Sequence, residues 1–155
     1  MNVTSARLED LQDLVELFAD YQSLDETSDP IDDELNEELL KELLGNPANS
    51  ALFIGRTSSG ELIGFILIHL TPSALHGRRV ARITDLFVHP DYREQGFGRQ
   101  LFDHAIRWAK DRKQRYVQWS VETMNMTAQY MFDRIEHAAQ SGHLGYTLPL
   151  HDVPR

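Results

Sequence analysis

The order of elements predicts an α/β layered domain, with helices on both faces of a central mixed β-sheet. Three observations carry that expectation. Two amphipathic helical stretches come first, three short apolar strands separated by turn residues follow, and the second half alternates strand with helix. Early strands joined by short turns pair antiparallel, whereas a strand–helix–strand crossover leaves its strands parallel. The 155 residues are 41 % hydrophobic and 25 % charged, the proportions of a globular chain with a real core. No repeat, low-complexity tract or linker interrupts them, so residues 1–155 are expected to form one domain.

Residues 2–5 read as a short first strand. Leu8, Leu11, Leu14, Val15, Leu17 and Phe18 recur at helical spacing and predict a helix over 6–21. A polar stretch with Pro30 follows, and Leu35, Leu39, Leu40, Leu43 and Leu44 then mark a second helix, stopped near Gly45-Asn46-Pro47. Strands over 51–56 and 62–70 are joined by Thr57-Ser58-Ser59-Gly60-Glu61, a hairpin connection. A link through Pro72 and Gly77 leads to a third apolar run, 80–88, ended by His89-Pro90-Asp91 because Pro90 lacks the N–H a ladder needs. From Gly96 or Phe97 to Lys113, Leu101, Phe102, Ala105, Trp108 and Ala109 line one face of a helix, with Asp103, Arg107 and Lys110 on the other. Residues 116–121 have the β-branched and aromatic character of a strand. Ala128, Met131, Phe132, Ile135 and Ala139 stripe a last helix over about 125–139, and 144–150 offers a final strand.

Composition excludes several functions. There is no cysteine, which removes disulfides, thiolate metal sites and a cysteine nucleophile together. His69, His76, His89, His104, His137, His143 and His151 show no ligand spacing, so no metal is expected. The apolar run 62–70 is too short to cross a bilayer, and the N-terminus lacks a signal-peptide pattern, giving the expectation of a cytoplasmic protein with no membrane partner. A formal net charge of −9 argues against nucleic acid as partner. The acidity is also localised. Asp20, Asp25, Glu26, Asp29, Asp32, Asp33, Glu34, Glu37, Glu38 and Glu42 are opposed over that stretch only by Lys41. One reading is a solvated helix face; the other is an electrostatic funnel for a cationic substrate.

The segment richest in chemistry is Ile83-Thr84-Asp85-Leu86-Phe87-Val88-His89-Pro90-Asp91-Tyr92-Arg93-Glu94-Gln95-Gly96-Phe97-Gly98-Arg99-Gln100-Leu101. An apolar strand ends, a turn follows, and a helix begins with two glycines. Helix N-termini expose unpaired N–H groups and the positive end of the dipole, and glycines let a diphosphate approach the backbone. Arg93 adds a directed cation. Arg-x-x-Gly-x-Gly alone arises by chance in roughly a few per cent of chains of this length; its placement between strand and helix raises its weight. The spacing is not that of a dinucleotide-binding turn, and the Gly-Lys-Ser/Thr of a P-loop is absent.

On these residues the sequence resembles the GNAT superfamily of N-acetyltransferases. The resemblance runs over roughly the first 130 residues: the opening Ala6-Arg7-Leu8-Glu9-Asp10-Leu11, the order of elements, the stretch from Asp85 to Gly98, and Asn125 with Ala128 as a helix-opening Asn-x-x-Ala. It implies a central sheet splayed between the fourth and fifth strands. It also implies acetyl-CoA as co-substrate, its pantetheine arm on the backbone of Leu86, Phe87 and Val88, and its pyrophosphate in the turn Arg93, Glu94, Gln95, Gly96, Phe97, Gly98 and Arg99. Asn125 would contact pantetheine from the far side of the splay.

The activity so implied is acetyl transfer from acetyl-CoA to a primary amine, by direct attack in a ternary complex. It needs the two reactants held together, the ammonium deprotonated and the developing oxyanion stabilised. Asp85, just before the strand end, is the candidate for amine binding or water-relayed proton removal; its other reading is a polar residue at a strand irregularity. The acidic segment favours a small cationic acceptor, with a protein amine left open. Two departures bear on this. The family often has a tyrosine seven residues after the asparagine as general acid, and here Phe132 stands there, leaving Tyr92, Tyr116 and Tyr146 as hydroxyls to consider. The tail after the last helix is short of a full hairpin, which leaves room for a homodimer completing the site. These departures motivate the alternative of a non-catalytic acyl-CoA-binding or regulatory module.

Overall fold

The computed structural model describes residues 1–25 and 29–150. The chain forms two compact units, Met1–Ser120, which holds the sheet, and Val121–Arg155. In the first, β1 (Asn2–Ser5), β2 (Ser50–Arg56), β3 (Leu62–Ser73), β4 (Arg78–Val88) and β5 (Val117–Gln118) lie side by side in chain order. The first four are antiparallel to their neighbours, and β5 is parallel to β4. The expected α/β architecture with a mixed sheet is therefore present.

Helix α1 (Leu11–Gln22) follows a single 3-10 turn, Leu8–Asp10. The sequence predicted helix from residue 6; instead the Asp10 carboxylate accepts the Arg7 N–H at 2.8 Å and tightens the first turn. Helix α2 (Asp33–Leu44) starts where the Asp32 side chain accepts the N–H of Leu35 at 2.9 Å. Both helices cover one face of the sheet. Leu14, Leu17, Phe18 and Leu40 pack there with Leu52, Ile54, Phe65, Leu67 and Phe87. Helix α3 (Phe97–Asp111) buries Leu101, Phe102, Ala105, Trp108 and Ala109 and packs on β2, β3 and β4. Alternation along a strand assigns it the opposite face, where Phe53 meets the His104 ring at 5.9 Å.

Strand β3 runs past the expected residue 70 to Ser73, through Pro72. Its pairing with β2 ends at Ser50↔His69, so Pro72 has β4 as its only ladder partner, a position proline tolerates. At the other margin β5 is much shorter than the predicted 116–121, pairing only through Ala81↔Val117 and Arg82↔Gln118. Among the described residues no strand but β3 pairs with β4 beyond Arg82, which is the splay that the family resemblance implied.

In the second unit, α4 (Met126–Asp133) replaces the helix predicted over 125–139. The apolar stripe continues past Asp133, but the backbone turns at Arg134 and reaches a left-handed conformation at His137 (φ 67°), which no helix accommodates. The final strand predicted over 144–150 does not form. Leu144, Tyr146, Leu148 and Leu150 alternate as a strand would, yet all four are largely exposed, and the backbone finds no neighbouring strand among the described residues.

Candidate active site

The site is built around the last turn of β4. Asp85 lies opposite Leu67 and Ile83 opposite Ile68, so Thr84 is one residue too many for its partner strand. Such a bulge bends a strand and re-aims the side chain beside it. Here it directs Asp85 to the face covered by α1, where the Tyr21 hydroxyl donates to Asp85 Oδ1 at 2.9 Å. The Tyr21 ring is held by two aromatic neighbours, Phe65 (edge-on, centroids 5.4 Å) and Phe87 (5.4 Å). His69, two residues beyond Leu67 on β3, falls on the same face. Burial pushes the His69 imidazole below its ordinary value, and the Asp85 charge opposes that shift.

Past the bulge the β4 backbone has an open side. The His89 N–H donates to the Ile63 carbonyl at 2.7 Å. Antiparallel alternation then turns the backbone groups of Phe87 toward β3 and those of Leu86 and Val88 toward the unpaired edge. The Val88 carbonyl accepts Nε of Arg93 at 2.8 Å, as expected for a group that faces away from β3. Gly64 marks how tightly β3 fits here: a Cβ on it would lie 2.7 Å from the Phe87 carbonyl oxygen.

A 3-10 turn, Pro90–Tyr92, leads from the strand to α3. The Tyr92 hydroxyl donates to Glu61 Oε2 at 2.7 Å, tying this turn to the β2–β3 hairpin, and that bond raises the phenol above its usual range. Glu94 (φ 61°) and Gly96 (φ 84°) are both left-handed, with right-handed helix beginning immediately after. Backbone of alternating hand gathers N–H groups into a concavity that receives anions. Arg93, Glu94, Gln95 and Gly96 are exposed on this turn, while Phe97 and Gly98 are half-buried. Arg99 is in the first turn of α3, with its Nε on Asp103 Oδ1 at 2.9 Å. A strand edge offering alternate N–H and C=O groups suits the amides of a pantetheine arm, and the turn suits a diphosphate; the residues present fit both parts of acetyl-CoA.

The residues named from sequence thus fall in two places. Asp85, Leu86, Phe87 and Val88 and the turn from Arg93 to Arg99 follow one another along β4 and into α3. Asn125 belongs to the second unit, where its Oδ1 caps α4 by accepting the Ala128 N–H at 3.1 Å, which accounts for the Asn-x-x-Ala spacing. Phe132 lies on α4, where it is half-buried. Of the tyrosines considered, Tyr92 is engaged by Glu61, Tyr116 meets the His76 ring at a tilt beside the far end of β4, and Tyr146 is exposed in the second unit. Sequence reasoning missed Tyr21 and His69. Tyr21 ends the α1 stripe 64 residues from Asp85, and His69 sits in an apolar strand; only pairing of β3 with β4 brings them to the carboxylate. Glu26 and His151 lie outside the described residues. Among those described, no cluster of three or more metal-ligating side chains occurs, and no helix is long and apolar enough to cross a membrane.

A mixed sheet whose fourth strand is left open at its end, followed by a glycine turn into a helix, is the architecture of the N-acetyltransferase class. A model of the Acetyltransferase (GNAT) family matches residues 11–136. The uncharacterized N-acetyltransferase YhfO of Bacillus subtilis (strain 168) is 25 % identical over 96 % of this chain and 97 % of its own. A crystal structure of a probable acetyltransferase superposes with a TM-score of 0.81 at 25 % identity, covering 98 % of this chain and 99 % of the other. The ribosomal-protein-alanine N-acetyltransferase of Brucella melitensis biovar Abortus 2308 shares the fold, with a TM-score of 0.72 at 19 % identity, covering 96 % of this chain and 99 % of that one. The chain belongs to the acetyltransferase (GNAT) family, and its enzyme class is N-acetyltransferase.

Proposed function

We propose that this chain transfers the acetyl group of acetyl-CoA to the primary amine of a small cationic acceptor, in the cytoplasm, by direct attack within a ternary complex. The observation that carries the reading is the juxtaposition on β4 of a carboxylate at a bulge, Asp85, with an unpaired strand edge one and three residues later at Leu86 and Val88. The edge would hold pantetheine as an added strand, and the turn from Arg93 to Arg99 would take the pyrophosphate on its backbone N–H groups. Acetyl-CoA supplies an activated acyl group whose thiolate leaves without protonation by an acid, since a thiol is already a fair leaving group. The chain's part is to hold the amine at Asp85, to accept its proton, and to donate backbone N–H groups to the carbonyl oxygen as negative charge develops there. The amine nitrogen bonds to the acyl carbon as the carbon–sulfur bond breaks.

The cationic acceptor is favoured by this chain's own charge. Tyr21, which binds Asp85, stands at the C-terminal end of α1, and the acidic stretch from Asp25 through α2 follows directly. The described carboxylates of that stretch are exposed except Glu37, which is half-buried and paired with Lys41, and such an arrangement attracts a diffusing cation. A neighbour of this fold is named for transfer to an alanine of a ribosomal protein, so protein N-termini belong in the test.

Release of free thiol from acetyl-CoA, followed with polyamines, amino sugars and basic peptides, tests the proposal. Turnover with at least one soluble amine is the expected outcome. Phe132, in place of a tyrosine, favours a second reading in which the chain binds acyl-CoA without transferring it. Stabilisation by about 2.7 kcal/mol at 100 times the dissociation constant of CoA, with no thiol release from any acceptor, would select that reading.

A further inference from the structure

Asp85, Tyr21 and His69 share one face of the sheet, and the family resemblance accounts for only the first of them. Asp85 has Oδ1 engaged by Tyr21, and Tyr21 is immobilised between Phe65 and Phe87. His69 is half-buried on the neighbouring strand. We propose a division of labour: Tyr21 is a positioning residue that fixes Asp85 as the anchor for the acceptor's ammonium, and His69 is the base that takes its proton. This rests on the transfer reading given above.

The chemistry favours that division over a single carboxylate doing both tasks. A carboxylate held through one oxygen by a phenol hydroxyl has its other oxygen to offer an ammonium. Imidazoles are, as a class, roughly 100-fold stronger bases than carboxylates in water, which matters when the proton comes from an alkylammonium. His69 is also ready in the form required. Its protonation is disfavoured by burial, so it is neutral at neutral pH and has a lone pair to offer. Asp85 nearby opposes that shift, so the same charge that attracts the ammonium stabilises the imidazolium once the proton has moved. The step balances: the ammonium loses one proton to the imidazole, directly or through water, the freed lone pair bonds to the acyl carbon as the carbon–sulfur bond breaks, and the second proton of that nitrogen passes to the departing thiolate or to water.

The surroundings of His69 agree. From β4 it faces Asp85 and, as its register partner, Arg82, which donates to the Gln118 side chain at 3.2 Å. Arg79, also on β4, reaches the Leu70 carbonyl next to it at 3.4 Å. Tyr21 reaches Asp85 from α1, and the β2 partner of His69, Ser50, is uncharged. Of these groups Asp85 is the one whose charge acts on the imidazole, against the effect of burial.

The test is the pH dependence of kcat/KM for an accepted amine in the unmodified chain and in His69→Gln, Tyr21→Phe and Asp85→Asn. In the unmodified chain, activity is expected to fall in acid with a break below about 6.5, the ordinary histidine value. His69→Gln should lose that break and fall about 100-fold at neutral pH, recovering as alkaline buffer supplies free amine. Asp85→Asn should move the break further toward acid, because the charge that favours the imidazolium is gone. Tyr21→Phe should raise KM for the amine about ten-fold while leaving KM for acetyl-CoA unchanged. A merely structural histidine would lower activity evenly across pH and leave the break in place. An unchanged break in His69→Gln overturns the assignment alone; absence of turnover by the unmodified chain overturns the transfer reading and the assignment with it.

Discussion

At the scale of single residues, the site depends on small side chains as much as on charged ones. Gly64 is pinned against β4: a methyl group there would meet the Phe87 carbonyl oxygen at 2.7 Å and Leu101 Cδ1 at 3.2 Å. The first of these is backbone and cannot swing aside. Gly64→Ala should therefore cost roughly 1–3 kcal/mol in chemical denaturation. The displaced segment is the one carrying Leu86 and Val88, so the same variant should bind acetyl-CoA more weakly in a calorimetric titration. A variant of native stability and native affinity would show that the strand edge is not where the ligand is held. Asp85 was legible from its place before the strand end, and the bulge at Thr84 explains why a polar residue is tolerated there. Tyr21 and His69 were not legible. Their roles exist only through long-range pairing, and a lone tyrosine at a helix end or a lone histidine in a strand has no local signature.

At the scale of elements, the antiparallel hairpins and α3 read well because their signals are local: alternation, Gly60 and Gly77 at turns, and an apolar stripe from Leu101 to Ala109. The C-terminal elements read poorly because their pattern was real but lacked a partner. Residues 144–150 alternate and still form no strand, since a strand is defined by the backbone groups beside it. Helix α2 shows the converse. Leu35 and Leu39, two of the residues that announced it, are exposed, and Asn36 is buried in their stead. Its amide exchanges two bonds with Gln22 at the end of α1, 2.7 Å and 2.9 Å, and joins the two helices. Asn36→Leu should cost about 1–3 kcal/mol by leaving the Gln22 amide unpaired, whereas Asn36→Leu with Gln22→Leu should recover much of that loss. Equal destabilisation by single and double variants would place the cost in packing and not in the amide pair.

At the scale of the molecule, charge is divided along the fold. The acidic stretch lies on α2 and the segment before it, whereas Arg78 and Arg79 open β4, Lys110 is in the last turn of α3, and Arg112, Lys113 and Arg115 belong to the α3–β5 connection. The net charge of −9 is thus an average over two unlike regions, the acidic one following Tyr21 along the chain. If it steers a cationic acceptor, kcat/KM for that amine should fall as ionic strength rises from about 0.01 M to about 0.15 M, where the screening length shrinks from roughly 30 Å to 8 Å. An aromatic or neutral amine accepted by the same site should show little dependence. Identical salt profiles for the two would confine the acidic stretch to a solvated face.

The strand edge beside Asp85 is the feature on which all of this converges. Co-crystals grown with CoA examine it most directly. A pantetheine arm is expected along β4 with bonds to the backbone of Leu86 and Val88, the pyrophosphate in the turn from Arg93 to Arg99, and the sulfur directed toward Asp85. Ordered CoA bound elsewhere, with the edge of β4 left bare, would contradict it.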